Sequence, residues 1–297
     1  MPSSAAARPA APGIQARWGL LLAVPLAFSV GLLVATQIVF VRVSFFRDLR
    51  LGRIDDTFQL TNYVAIVTDP FYLRSLGLTV EISAVVAALA LAMGYPVAYA
   101  LARMRPRWST ALVTLAAISG FITIVIKVLG LTIIFAADGP LNRLLRGLDL
   151  IAQPINLYGS VGGVVIGQLL YTLPFMILML FGVMQAIPRS LEDAAEIHGA
   201  SRWRVMWRVV LPLSLPGVVG GALVVFNLAM GAFTSAALLG GGRVLTLPVV
   251  IQQAILVETR YAMAGALSAV LLVVVLLVNL LSVLLASRLR RAQGGLV

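Results

Sequence analysis

Cysteine is absent from this chain of 297 residues, which excludes a disulfide framework and thiolate chemistry. There is a single histidine, His198, so no multi-histidine metal site can form. Lysine also occurs once, as Lys127, inside an apolar stretch and followed by Val128. A phosphate-cradling G-x-x-x-x-G-K-[ST] loop is therefore impossible, and the chain carries no P-loop ATPase of its own. Charge is sparse at 11%, and residues 18–41 and 261–287 hold none. With no cysteine, one histidine and no paired acids in the apolar stretches, a catalytic set for a membrane-embedded enzyme is missing.

What is present in quantity is apolar surface. The chain is 61% hydrophobic with a mean hydropathy of +1.03, far outside the range of soluble domains. A helix needs about 20 apolar residues to cross a hydrocarbon core. Six stretches meet that length, at 18–41, 76–102, 108–135, 159–186, 216–239 and 261–287. The reading is an all-α integral membrane protein with six transmembrane helices over residues 18–287. The first stretch is longer than the apolar core of a signal peptide and no clean cleavage site follows, so it reads as an anchor. Residues 1–17, beginning MPSSAAARPAAPGIQ, are low in complexity and read as a disordered cytoplasmic tail. Residues 288–297 read as a second cytoplasmic tail.

Arginine sets the expected orientation. Arg103, Arg105 and Arg107 crowd one very short loop, and Arg189, Arg202, Arg204 and Arg208 another. Arg8 and Arg17 precede the first span; Arg288, Arg290 and Arg291 follow the last. With six spans all four groups fall on one side, and short arginine-rich loops stay in the cytoplasm. Both termini are therefore expected on the cytoplasmic side of the membrane. The loop 42–75 also carries five arginines, but it is long and holds Asp48, Asp55, Asp56 and Asp69. The net charge of +11 is then a topology signal and a contact with anionic headgroups, with no nucleic acid implied.

Between the fourth and fifth spans lies a polar hairpin, residues 190–212, SLEDAAEIHGASRWRVMWRVVLP. Ser190 with Asp193 forms a capping-box pattern that would start a helix at Leu191. Gly199 would end it in the left-handed conformation. Ser201 would cap a second helix, with Trp203, Met206, Trp207 and Val210 on one face and Arg204 and Arg208 on another. Pro212 and Pro216 would close the segment before the next span. These residues alone also fit a helix lying on the bilayer, anchored by Trp and Arg.

The same hairpin resembles the EAA loop of ABC-importer permeases. That pattern is E-A-A, three residues, Gly, nine residues, an aliphatic, one residue, Leu-Pro. Asp193-Ala194-Ala195, Gly199, Val209 and Leu211-Pro212 keep every interval, with Asp193 for Glu and Val209 for Ile. The resemblance extends over residues 58–290, through 58–86, GYPVAYALARMRPR at 94–107, ADGPLNRLLRG at 138–148 and QLLYTLPFMILMLFG at 168–182. These are similar to spermidine/putrescine transport permeases. Lys127 stands where that family often has Arg, and Val128-Leu129-Gly130 follow where an aromatic is common.

The resemblance implies the type I importer fold and a subunit without enzyme activity. It implies ATPase docking at Asp193, Ala194, Ala195, Gly199, Leu211 and Pro212. The implied partners are ATP-binding cassette subunits, a second permease subunit of different sequence and an extracytoplasmic solute-binding protein. No cofactor is expected in this chain; ATP-Mg would bind the partner ATPase. The implied cargo is a polyamine or a related amine such as an opine, an amino acid or an aminophosphonate. His198 reads as a solvent-facing or docking residue. The alternative class is an ion-coupled secondary transporter. It would usually show several buried acids, and Glu81 is the only acid within a span.

Five residues are candidates for a substrate passage: Glu81, Lys127, Gln168, Tyr171 and Asn227. Charge within hydrocarbon is costly and faces protein or water. Glu81 and Lys127 sit at similar depth, so they either pair with each other, face the passage or reach for headgroups. Gln168 and Tyr171 lie about a turn from Pro174, and Gly94-Tyr95-Pro96 interrupts the second span. Helix breaks of this kind either line a binding cavity or serve close packing.

Overall fold

Among the described residues, five helices are long and apolar enough to cross a membrane, or six if a sharply bent helix pair counts as one span. The structure is a computed structural model. It describes residues 12–294 except 50, 51, 56 and 152, with side chains between residues 23 and 284. The long elements are α1 (Pro12–Ser44), α3 (Pro70–Arg103), α7 (Val161–Gln185), α10 (Leu211–Met230) and α13 (Tyr261–Gly294). The bent pair is α4 (Pro106–Phe121) with α5 (Ile124–Ile134). Shorter helices are α2 (Thr61–Thr68), α6 (Pro140–Gly147), α8 (Arg189–Ile197), α9 (Arg202–Val205), α11 (Thr234–Leu239) and α12 (Leu247–Leu256). The only strands among the described residues, β1 (Arg47–Asp48) and β2 (Ile54–Asp55), are two residues each and pair antiparallel.

The core lies where α3, α7 and α10 meet. Ile82, Val86, Val164, Met176, Leu180, Met184, Val225 and Met230 are buried there. Small residues set the spacing. Met176 lies between Gly94 of α3 and Gly221 of α10: a methyl on Gly94 would come within 3.0 Å of its Cγ, and one on Gly221 within 3.1 Å of its sulfur. Lipid tails are as apolar as these side chains, so the three helices are held by close packing rather than by escape from water. In α1 and α13 long apolar faces stay exposed, as in Phe28, Leu33, Leu276 and Leu281.

The end opposite the polar hairpin is built from α2, α12 and the start of α13, around Ile66, Leu247, Val250, Met263 and Leu267. Asp48 caps α13 there: its carboxylate accepts from the amides of Ala262 at 2.8 Å and Met263 at 2.9 Å. An anion at a helix N-terminus meets unpaired N–H groups and the positive end of the dipole. Asn62 donates to the carbonyls of Ser44 and Phe46, which ties the end of α1 to α2.

The expected single span 108–135 is broken. Ile122 and Thr123 are extended, and α4 and α5 meet at 89°. The break follows a Ser119-Gly120 pair, and the Lys127 ammonium donates to the Ser119 carbonyl. Sharp kinks arise at small-residue pairs or where a side chain enters the hydrogen-bond ladder, and both causes are present.

The expected fifth span, 216–239, also differs. The helix runs unbroken from Arg202 to Met230, so Pro212 and Pro216 do not close the hairpin. A π-helical turn at Met206–Val210 precedes Pro212, with the Leu211 amide bonded back to Met206. This wider turn absorbs the proline that an α-helical ladder would reject. At its other end α10 stops at Gly231, and Thr234–Leu239 forms the separate α11. The apolar α12 was not foreseen. Residues 1–11 of the expected N-terminal tail 1–17 lie outside the described residues, while helix already runs from Pro12. Likewise α13 continues to Gly294 through most of the expected tail 288–297, whose last three residues are not described.

Candidate functional site

At one end of the bundle α7 leaves its last turn, and Ile187 and Pro188 lead into α8. The helix begins at Arg189 with Pro188 in the capping position, two residues before the start expected from Ser190 and Asp193. Neither of these side chains makes a cap bond; Ser190 falls inside the first turn, because Pro188 already supplies the extended residue that a helix start requires.

The other end of α8 is closed by a two-bond motif. The Gly199 amide donates to Glu196 at 2.9 Å and the Ala200 amide to Ala195 at 3.1 Å. Gly199 has φ +82°, the left-handed conformation expected of it. A Cβ there would meet nothing within 4 Å, so the demand for glycine at Gly199 is conformational. Ala195 and Ala200 then pack with the buried Ile187, Val205 and Val210, a small apolar seat beneath the hairpin. Ser201 occupies the capping position of α9 without a side-chain bond.

The inner face of α8 is fixed by charge. Glu192 is 9% exposed and accepts from the Tyr99 hydroxyl at 2.8 Å and from Arg103 Nε at 2.7 Å. A second guanidinium nitrogen of Arg103 completes an ion pair with Glu192. Arg103 also donates to the carbonyls of Met184 and Ile187, both at 3.3 Å, and lies over the Tyr99 ring. Arg189 reaches back to the Ala102 carbonyl at 3.0 Å. Nothing in the local pattern singles out the residues of this cluster. Arg103 reads as a topology signal, and Glu192 precedes the acid that fits the motif spacing.

The outer face of α8 is open. Leu191, Ala194 and Ile197 recur at helical spacing and are exposed, Ile197 to 84%. Asp193 and His198 are exposed beside them, and Ala195 is half-buried. The other two motif residues lie elsewhere: Leu211 and Pro212 belong to the first turn of α10, beyond the π-helical turn. Leu211 lines an apolar groove of about 350 Å³ together with Tyr95, Pro96, Trp203 and Trp207.

Among the described residues no hydrogen bond or ion pair joins one of the five passage candidates to another. Glu81 is exposed on α3, and no ion pair among the described residues joins it to Lys127, which is held by Ser119. Gln168 is buried in α7, its Oε1 without a partner. Tyr171, half-buried, meets Phe175 edge-on at 5.5 Å. Asn227 is paired across helices with Asn279, a residue the sequence reading passed over. A cavity of about 450 Å³ at the far end is lined by other residues, among them Asn156, Tyr158 and Arg243.

Residues 20–291 match the family described as binding-protein-dependent transport system inner membrane component. The chain belongs to this family. It is a multi-pass inner-membrane permease subunit of the ABC-importer class. It is 32% identical over 232 residues to the spermidine/putrescine transport system permease protein PotB of Escherichia coli (strain K12), covering 78% of this chain and 84% of that one. It is also 32% identical over 179 residues to the molybdenum transport system permease protein ModB of Mycobacterium tuberculosis (strain ATCC 25618 / H37Rv), covering 60% and 66%. In fold it resembles a permease of a bacterial alginate ABC transporter solved with an alginate pentasaccharide-bound periplasmic protein. That match has a TM-score of 0.75 at 19% identity and covers 93% of this chain and 96% of that one. Permeases of this family have the type I importer fold, and the chain has that fold over most of its length.

Proposed function

We propose that this permease lines part of the passage of an ATP-driven importer for a small amine, and that a separate ATPase subunit docks on α8. The observation that carries the docking is the open stripe of Leu191, Ala194 and Ile197, on a helix whose opposite face is locked by Glu192. An apolar stripe that faces away from both the bundle and its spans is a surface that awaits protein. The arginine distribution supports a cytoplasmic hairpin and cytoplasmic termini. ATP-Mg would bind the ATPase. A second permease subunit would complete the passage, and an extracytoplasmic binding protein would deliver cargo to the far end. Closure of the ATPase dimer would carry α8 with it and turn the bundle outward; hydrolysis would reset it.

The amine cargo rests on the relatives named for spermidine and putrescine transport. The Lys127 ammonium donates to the neutral Ser119 carbonyl and keeps its charge, so Lys127 does not itself favour an amine cargo. A second reading, an oxyanion cargo, is favoured by the relative named for molybdenum transport. The test is purification from native membranes followed by reconstitution. An ATPase should copurify, and ATP should drive uptake of labelled putrescine. A preparation without an ATPase would sink the docking. Uptake of molybdate and no amine would move the cargo to the second reading.

A further inference from the structure

We propose that Arg103 and Glu192 form the joint through which α8 moves α3, so that Arg103, Glu192 and Tyr99 are positioning residues for transport. The proposal deepens the docking reading and rests on it. Along the chain α8 is attached to α7, through Ile187 and Pro188, and to the helix that runs into α10, through residues 198–201, but not to α3. The structure adds an attachment to α3, a helix 89 residues away in the chain. One guanidinium meets three elements: the Glu192 carboxylate of α8, the Met184 carbonyl of α7 and the Ile187 carbonyl of the connection. Arg189 to the Ala102 carbonyl is a second strut between the same two helices.

The joint is stiff for a physical reason. The side chains of Arg103 and Glu192 are 16% and 11% exposed. A pair this desolvated is costly to open, because either partner alone would be left as a shielded charge. It also saturates much of the hydrogen-bonding capacity of both groups. A load on α8 therefore moves the end of α3 before the pair separates. Further along α3, Tyr95 meets Ser214 of α10 at 3.0 Å, next to Pro96. Pro96 removes a backbone bond and makes α3 easy to bend there. The displacement so reaches both α3 and α10, two of the three core helices.

The absence of native cysteine allows labels to be placed cleanly. Spin labels at His198→Cys and Leu281→Cys report α8 against α13; labels at Met104→Cys and Leu281→Cys report the end of α3. Both are read in the assembled complex before and after nucleotide trapping with vanadate. With Glu192 present, both distances change on trapping. In Glu192→Gln, which keeps the shape and removes the charge, the α8 distance still changes and the α3 change is reduced to what the Arg189 strut carries. Glu192→Asp recovers part of it. Tyr99→Phe, which removes one bond and keeps the ring beneath Arg103, gives an intermediate loss and serves if Glu192→Gln does not assemble. An α3 change of full size in both Glu192→Gln and Tyr99→Phe overturns the joint, as does an unresponsive α3 in the parent complex with its ATPase bound. If no ATPase binds the parent, the docking reading fails first and takes the joint with it; a pull-down on the same sample separates the two failures.

Discussion

Asn227 of α10 and Asn279 of α13 exchange two amide hydrogen bonds, each 3.0 Å long, and Asn279 donates a third to the Val275 carbonyl at 2.7 Å. Both residues are half-buried in helices that are otherwise apolar. The pair closes on itself, which gives Asn227 a cross-helix role and engages one of its two amide N–H groups and one lone pair of its oxygen. Replacing either with Leu strands the other amide in an apolar setting, at a cost of about 1–3 kcal/mol. Asn227→Leu and Asn279→Leu should lower the thermal stability of the purified complex by similar amounts. The double variant should lose less than the sum, as expected of coupled neighbours. Uptake that falls only for Asn227→Leu, with stability unchanged, would return Asn227 to the passage.

Lys127 fastens the bend between α4 and α5 through the Ser119 carbonyl. Lys127→Met should release that carbonyl at about 1–3 kcal/mol and reduce the amount of assembled complex in the membrane. The preference between putrescine and an acidic amine should not change. Lys127→Arg keeps a cation at the C-terminus of α4, where the helix dipole favours one, and should assemble. Normal assembly of Lys127→Met with altered cargo preference would mean that the ammonium acts on the solute.

The apolar spans were legible because hydrocarbon thickness imposes a length that composition reveals, and α3 and α7 appear nearly as read. Gly199 was legible because a positive φ is a local demand on one residue. The 89° break was missed because residues 108–135 sum to one apolar run whichever way the axis turns. Its signals are the Ser119-Gly120 pair, which the sequence reading passes over, and a lysine in a span, which it treats only as a charge. Pro212 misled because proline stops an α-helix, but not one widened to a π turn just before it. The Arg103–Glu192 pair lies beyond any local pattern. Its partners are 89 residues apart, and each had a sufficient local explanation.

Gly199 gives a graded test. An L-residue in the left-handed region costs about 1–2 kcal/mol, least for Asn and most for a β-branched side chain. Because the space around Gly199 is open within the chain, steric conflict adds nothing until a partner is docked. Gly199→Asn should retain most transport. Gly199→Val should insert and fold yet lose transport and cargo-stimulated ATP hydrolysis together. Equal transport by both variants would separate the turn from coupling.

Gln168 is buried at 1% exposure with an unpartnered Oε1. A buried acceptor without a donor costs about 1–3 kcal/mol, so Gln168→Leu should leave the stability of the complex unchanged or raise it. Reduced uptake at undiminished stability would identify Gln168 as a group the cargo or its water requires. Undiminished uptake would assign it to the packing between α7 and its neighbours.

Orientation can be decided with two single cysteines, since the chain has none of its own. Thr57 lies beyond the β1–β2 pair at the far end, and Ser201 lies in the hairpin between α8 and α9; both are exposed. The spans between them are too apolar to carry an impermeant thiol reagent across. If short arginine-rich loops are retained inside, Thr57→Cys should react in spheroplasts and Ser201→Cys only after permeabilisation. An ATPase docked on α8 adds a second contrast, because it covers the surface next to Ser201. Labelling of Ser201→Cys in permeabilised membranes should then rise when the ATPase is stripped away, while labelling of Thr57→Cys stays constant. The reverse sidedness would place α8 where no cytoplasmic ATPase could reach it, and both the orientation and the coupling role of the hairpin would fall together.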